Sequence, residues 1–314
     1  MFTKNIRTCI NATLMLAFIG GQSLASSALG QSVETIEVQR TIRGQTITLK
    51  PIVHWPSGAG PFGAVLVVNS SAGKDDVFLR ATHPVMNERG IATIYLDTFT
   101  PRGIKNTVLD QSQVSSTTMV LDALQVLEVV RKNPKFKTDK VAIQGQSKGG
   151  IAALHAATRQ WHLWFGQSFK PFDASIAFAP TCELQFKEPE LESPLMAFLG
   201  EKDDQTLAAP CVALFDRMKT AGQNVQYEVV PNAIHSWSTY GYSRMQNIWS
   251  ARKCADNPLY YTKDAFVDSR TGSKVAVSDV YRICGEEGSF IGGPADKRPY
   301  ILSKSADWLK SMGW

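Results

Sequence analysis

Short, mostly apolar runs alternate along this chain with segments whose apolar residues recur at helical spacing. The runs GAVLVVNSS (63–71), GIATIYLD (90–97), KVAIQGQS (140–147), ASIAFAP (174–180), SPLMAFLG (193–200) and VQYEVVP (225–231) predict strands. The clearest helix is expected over 118–132, where Val120, Leu121, Leu124, Leu127 and Val130 repeat until Asn133-Pro134 breaks the pattern. A second, LAAPCVALFDRMKTAG, ends at Gly222. Apolar strands that alternate with helices predict an α/β fold with a mostly parallel central sheet and helices on both faces, because each parallel crossover lays a helix on the sheet. Ahead of these elements, ETIEVQR and QTITLKPIVHW read as a hairpin turning at Arg43-Gly44. Behind them, 238–300 lacks clear periodicity and reads as a loop-rich extension. A terminal helix over 301–312 is expected to return Leu302, Trp308 and Leu309 to the body.

The first thirty residues follow a different pattern: Lys4 and Arg7, an apolar stretch over 14–19, then the small residues of SLASSALGQS. That order predicts a secretory signal peptide cleaved after Ala28 or Gly30. The stretch is far shorter than the roughly 20 residues of a membrane span, so no anchor is expected after cleavage. The remainder, 31–314, carries no repeat and no linker and reads as a single domain in the periplasm or outside the cell. Lys4 and Arg7 leave with the signal and no acid does, which takes the formal charge from +5 to +3 and gives no reason to expect a nucleic-acid partner. Cys9 leaves too, and Cys182, Cys211, Cys254 and Cys284 remain, an even set for an oxidising compartment. Of the possible pairings, Cys182 with Cys211 and Cys254 with Cys284 join sequence neighbours, each closing a loop worth roughly 3–4 kcal/mol in the chain-entropy model. A zinc site is the weaker use of these residues, since no CxxC occurs and no histidine lies near Cys254 or Cys284.

The chemistry concentrates in GQSKGG, where a buried strand meets a helix rich in small residues. A serine hydroxyl is pushed out of such a turn only if the residues two before and two after are tiny, and Gly145 and Gly149 flank Ser147 in that way. The amide of Lys148, at the start of the helix, can then face a developing oxyanion. A serine needs a base and an orienting acid. GEKDD closes the next-but-one strand and offers Asp203, with Asp204 as the alternative and one of the two expected to cap the following helix. NAIHSW follows the last core strand and offers His235. The loop NSSAG after the first long strand supplies the second oxyanion amide, Ser71 before Ser70. His54, His83, His155 and His162 lie where no base is required and read as structural. The Lys148 side chain is expected in solvent, Arg102 of TFTPRG either holds a neighbouring acid or clamps a substrate carboxylate, and the cluster 161–165 either packs the core or lines a pocket.

NSSAG, YLDTFTPRG, GQSKGG, GEKDD and NAIHSW, in this order over 62–237, resemble the dienelactone hydrolase family of the α/β-hydrolase fold, in a secreted branch. The resemblance implies hydrolysis of a small-molecule carboxylic ester or lactone through an acyl-enzyme on Ser147, with Asp203 and His235 completing a triad and without metal or organic cofactor. APTC and the later AAPC resemble members of that branch in which these cysteines lie close together, which favours the Cys182–Cys211 pairing. The chain departs from the family in three places. Ser147 stands where members that open dienelactones carry cysteine, Asn69-Ser70 replaces a His-Gly, and the cysteine-bearing extension after Trp237 lies outside the minimal fold. A peptidase or an acyltransferase would use the same three residues, and a silent exported binding protein would keep the cleft without the chemistry.

Overall fold

The computed structural model describes residues 32–314 apart from 43, 76 and 238–240, so the predicted signal peptide, Cys9 and Arg43 lie outside the described residues. The amino-terminal strands are β1 (Val33–Thr35), β2 (Val38–Ile42), β3 (Gln45–Leu49) and β4 (Ile52–His54). The alternating runs continue as β5 (Phe62–Val68), β6 (Ile91–Leu96), β7 (Phe136–Gln146) and β8 (Ala174–Phe178), then the two-residue β9 (Leu184–Gln185), β10 (Leu195–Gly200) and β11 (Val225–Val230). The main sheet has eight strands in the order β1-β4-β6-β5-β7-β8-β10-β11. From β6 to β11 the neighbours run parallel, and β4 and β1 close one edge antiparallel. This is the mostly parallel α/β sheet that the apolar runs predict, in the α/β-hydrolase arrangement that the resemblance implies.

The predicted amino-terminal hairpin forms only in part. β2 and β3 pair as expected, with Gly44 at φ 81°, but the outer ends of both runs leave the hairpin as β1 and β4 and join the main sheet. The break falls at Pro51, which has no amide to donate to a ladder, while its carbonyl accepts from Ile36.

The helices are α1 (Val77–Glu88), α2 (Ser116–Val130), α3 (Lys148–Ala157), the single turn α4 (Arg159–Trp161), α5 (Ala208–Thr220), α6 (Val280–Cys284) and α7 (Lys297–Ser311). On one face of the sheet α2, α3 and α5 bury Leu124, Ala153 and Leu214 against Leu66, Ile143 and Ala197. On the other, α1 and α7 bury Phe78 and Leu309 against Val65, Val67 and Phe198. Burial of strand residues on both faces explains why β5, β7, β8 and β10 are apolar without alternation.

The extension is more regular than its sequence predicts. β12 (Tyr242–Ser250) and β16 (Glu286–Gly292) form an antiparallel ribbon, while β13 (Leu259–Tyr261), β14 (Phe266–Asp268) and β15 (Lys274–Val275) add to β9 as a small second sheet. Strands this short, and a ribbon whose register shifts between Met245 and Trp249, hold too few residues for a period-two signal. The extension has its own core of Leu259, Phe266, Val275 and Val280 around Cys254–Cys284. Both bonds follow the favoured pairing, Cys182–Cys211 and Cys254–Cys284, so the cysteines are not zinc ligands.

A buried ion cluster ties the hairpin to the helical layer. Asp122 of α2 is fully buried and accepts from Arg102 on both oxygens, at 2.7 Å on Oδ2 and 3.0 Å on Oδ1, while Arg40 of β2 pairs with the same Oδ1. Burial lowers the Arg40 pKa to about 10, with Arg102 adding to the effect. Arg102 thus holds an acid, as one of its two sequence readings had it, and lines neither cavity at Ser147. Removing the carboxylate leaves two largely buried guanidinium groups without their counter-charge. Asp122→Asn is expected to lower the unfolding free energy by about 3–5 kcal/mol in denaturant melts, and a loss under about 1 kcal/mol would mean that water replaces the carboxylate.

Candidate active site

At the carboxyl end of β7 the chain turns within one residue into α3, and Ser147 occupies that turn with φ 54° and ψ −119°. Left-handed backbone is costly for serine and persists only where the surroundings impose it. They do so by backbone contact. A Cβ on Gly145 would lie 2.4 Å from the Gly149 carbonyl, one on Gly149 would lie 2.8 Å from the Val68 and Asn69 oxygens, and one on Gly150 would lie 2.4 Å from the Phe178 oxygen. Glycine is therefore required on both sides of the serine for strand and helix to close on it.

Three loops converge there. The His235 ring lies with Nε2 3.0 Å from Ser147 Oγ and Nδ1 2.9 Å from Asp203 Oδ2. Asp203 and His235 are buried. Asp203 Oδ1 accepts the amides of Gln205 and Thr206 at 2.9 Å each, and Oδ2 accepts the Thr206 hydroxyl at 2.9 Å. A carboxylate held on both oxygens keeps its orientation, and as an acceptor it calls for a proton on His235 Nδ1, leaving Nε2 free to accept from the serine.

Asp204 points elsewhere. Its side chain accepts from the Phe290 amide at 2.9 Å and pairs with Arg252, and its carbonyl accepts from Arg252 and Ser289. Neither carboxylate caps α5, whose N-cap is Leu207 without a side-chain bond. Asp203 instead closes a tight turn on its own following amides, which takes up the capping capacity that the sequence assigns to a helix.

Lys148 corrects a second expectation. Its side chain is buried rather than in solvent, with Nζ donating to the Gln111 carbonyl at 2.7 Å and to Thr107 Oγ1 at 3.2 Å. Burial lowers its pKa to about 8, partly opposed by Asp110. The same loop holds Ser71, whose hydroxyl donates to Gln111 Oε1 at 3.0 Å and whose carbonyl accepts from the Thr107 amide at 2.9 Å. Lys148 and Ser71, the two nominated oxyanion residues, are thereby fastened to one short segment, 107–111. Ser70 and Ser71 both border the space in front of Ser147.

Of the remaining histidines, His54 stacks on His83 at 4.4 Å beside Tyr95, His155 is buried against Phe186 and Tyr261, and His162 bonds the Ala156 carbonyl. Burial pulls the His155 pKa down to about 3. Trp161 is fully buried, Trp164 and Phe165 pack partly buried against the core, with Trp164 on Phe186, and Leu163 is exposed, so the cluster 161–165 lines neither cavity at Ser147.

Two cavities meet at Ser147. The smaller, about 230 Å³, includes His235, Val77, Met245, Ile248 and Ile291. The larger, about 340 Å³, includes Ile151, Trp249, Tyr261, Phe266 and Tyr281. The extension supplies much of both walls and grips the site through main chain. The Gly292 amide donates to the His235 carbonyl at 2.9 Å, and Gln205 Nε2 donates to the Trp249 carbonyl at 2.6 Å. None of these wall residues was legible in the sequence, since nothing in a weakly periodic segment says which side chains face a distant serine. Thr206 was missed as well, although a threonine three residues after Asp203 is the expected partner of a turn-forming aspartate.

The family model described as "Dienelactone hydrolase family" matches residues 54–257. No curated protein matches the chain. Among solved structures, a thermophilic esterase of Thermogutta terrifontis superposes with a TM-score of 0.52 at 16% identity, over 68% of this chain and 85% of that one. A putative dienelactone hydrolase from Klebsiella pneumoniae gives 0.51 at 17%, over 66% and 89%. At such identities the likeness is one of fold.

Glu183, beside Cys182, braces the acid loop from below. Its buried carboxylate accepts the Cys182 amide at 3.0 Å and the Leu207 amide at 3.3 Å. Burial raises its pKa from 4.5 to about 7 although both amides pull it down, and Asp203 adds to the rise. The folded state therefore keeps a proton that the unfolded chain has released between these values, so this contribution to stability is present below pH 4.5 and lost as pH rises through about 7. Melting temperatures across that window are expected to show a falling component that Glu183→Gln removes; an unchanged slope in the variant would assign it to other groups.

Proposed function

Because the chain belongs to the dienelactone hydrolase family, we propose that it hydrolyses small-molecule carboxylic esters, lactones included, through an acyl-enzyme on Ser147. The observation that carries this reading is the unbroken hydrogen-bonded series Ser147–His235–Asp203, with spacings of 3.0 and 2.9 Å, at the end of a strand–turn–helix elbow. His235 Nε2 takes the hydroxyl proton as Oγ bonds to the ester carbon, and Asp203 stabilises the imidazolium. The amides of Lys148 and Ser71 hold the oxyanion, and their shared anchorage to 107–111 would fix the two donors relative to each other. His235 then gives its proton to the alkoxy oxygen as the carbon–oxygen bond breaks. Water enters, loses a proton to His235 and releases the acid, which restores Ser147.

Two disulfides suit an oxidising compartment, and with the charged, apolar and small-residue order of the first thirty residues they support export to the periplasm or beyond. Among the described residues no helix is long and apolar enough to cross a membrane.

Turnover of p-nitrophenyl esters and labelling by a fluorophosphonate are both expected of the parent protein. Ser147→Ala and His235→Ala should each lower kcat by ~10⁴-fold or more, and the double variant should be little worse than either, because the residues act as a unit. A rate in Ser147→Ala close to that of the parent would dismiss the serine as nucleophile. Absence of labelling in a folded parent would favour a binding protein.

A further inference from the structure

The two cavities at Ser147 differ in a way that assigns them to the two halves of an ester. Ser147 borders both, but His235 borders only the smaller one. In acylation the alkoxy oxygen must come within hydrogen-bond reach of His235 Nε2 to collect the proton taken from Ser147, and whatever that oxygen carries must lie on the histidine side. The acyl substituent then runs the other way, past Ile151 at the start of α3 and into the larger cavity.

The linings match different chemistry. Both cavities carry serine and glutamine groups, but their apolar walls differ, and on the histidine side these are aliphatic, from Val77, Val108, Met245, Ile248 and Ile291. On the other side Trp249, Tyr261, Phe266 and Tyr281 present aromatic rings, with Trp249 and Tyr281 centred 4.4 Å apart and Tyr261 and Phe266 4.9 Å apart. Tyr261, Phe266 and Tyr281 lie beyond residue 257, where the family match ends, and the Cys254–Cys284 bond brackets all three in sequence, with Tyr281 and Cys284 on the same short helix. Such rings favour a flat π-system that can stack or meet them edge-on.

We propose that the larger cavity is the acyl site and selects esters of aromatic carboxylic acids with small aliphatic alcohols, an assignment that rests on the serine-esterase reading above. The bond that forms is Ser147 Oγ to the aroyl carbon. The bond that breaks joins that carbon to the alkoxy oxygen, which departs with the proton from His235. The acyl-enzyme thus holds its aromatic group beneath β13, β14 and α6 while the alcohol leaves along the opposite wall.

An isomeric pair tests the direction: ethyl 2-naphthoate against 2-naphthylmethyl acetate, with p-nitrophenyl acetate as the common reference on the purified full chain. The naphthoate is expected to be preferred by at least tenfold in kcat/KM. Tyr281→Ala, at a position 43% exposed and so tolerant of truncation, should lower the naphthoate-to-acetate ratio by about tenfold through loss of one aromatic contact. Met245→Trp, which fills the histidine side, should lower the rate for butyl 2-naphthoate relative to its methyl ester. Preference for the reversed ester, no turnover of either isomer by a protein that still hydrolyses p-nitrophenyl acetate, or a Tyr281→Ala effect confined to the alcohol series would overturn the assignment. Failure to hydrolyse p-nitrophenyl acetate in a Ser147-dependent way would instead remove the esterase reading beneath it.

Discussion

The contact on which this site depends is between backbones, not side chains. Gly145 sits against the Gly149 carbonyl, Gly149 against the ends of Val68 and Asn69, and Gly150 against Phe178, so that three adjacent strands and one helix meet with no Cβ between them. That closeness holds Ser147 at φ 54°, a conformation serine would not keep alone. It also brings α3, and the amide of Lys148 that begins it, to the loop carrying Ser70 and Ser71. The cost of the strained residue is met by the core behind it, where β5, β7 and β8 are buried on both faces.

Around this fixed point the loops are positioned by hydrogen-bonded polar groups. Asp203 spends its acceptors on two amides and a hydroxyl before it meets the imidazole, and Asp204, one residue on, spends its own on the extension. Adjacent aspartates thus serve opposite directions, one inward to His235 and one outward to Phe290 and Arg252. Lys148 does similar work on the other side, where its buried amine trades a hydration shell for Gln111 and Thr107.

What could be read from sequence follows a physical division. Strands buried on both faces print an apolar run, a sharp turn prints glycines, and a helix prints its period, so the sheet, the elbow and the positions of Asp203 and His235 were all legible. Contacts that depend on long-range placement were not. Nothing around Lys148 announces that its amine folds inward, and Asp122 appears as one more polar position on α2 although it anchors Arg40 and Arg102. The hairpin was over-read because alternation does not tell which sheet a strand joins, and the extension was under-read because strands of two or three residues leave no periodic trace.

The extension is attached to the histidine and acid loops largely through main-chain groups: Gly292 to His235, Phe290 to Asp204, the Trp249 carbonyl to Gln205. Apart from Arg252 and Ser289, whose side chains also hold Asp204, the side chains between those anchor points can be exchanged without loosening main-chain bonds that every residue type but proline can make. On the proposed function, reactivity and selectivity reside in parts of the chain that can change independently, and an architecture of this kind can be retuned to new substrates by redrafting one cross-linked segment while the elbow stays as it is.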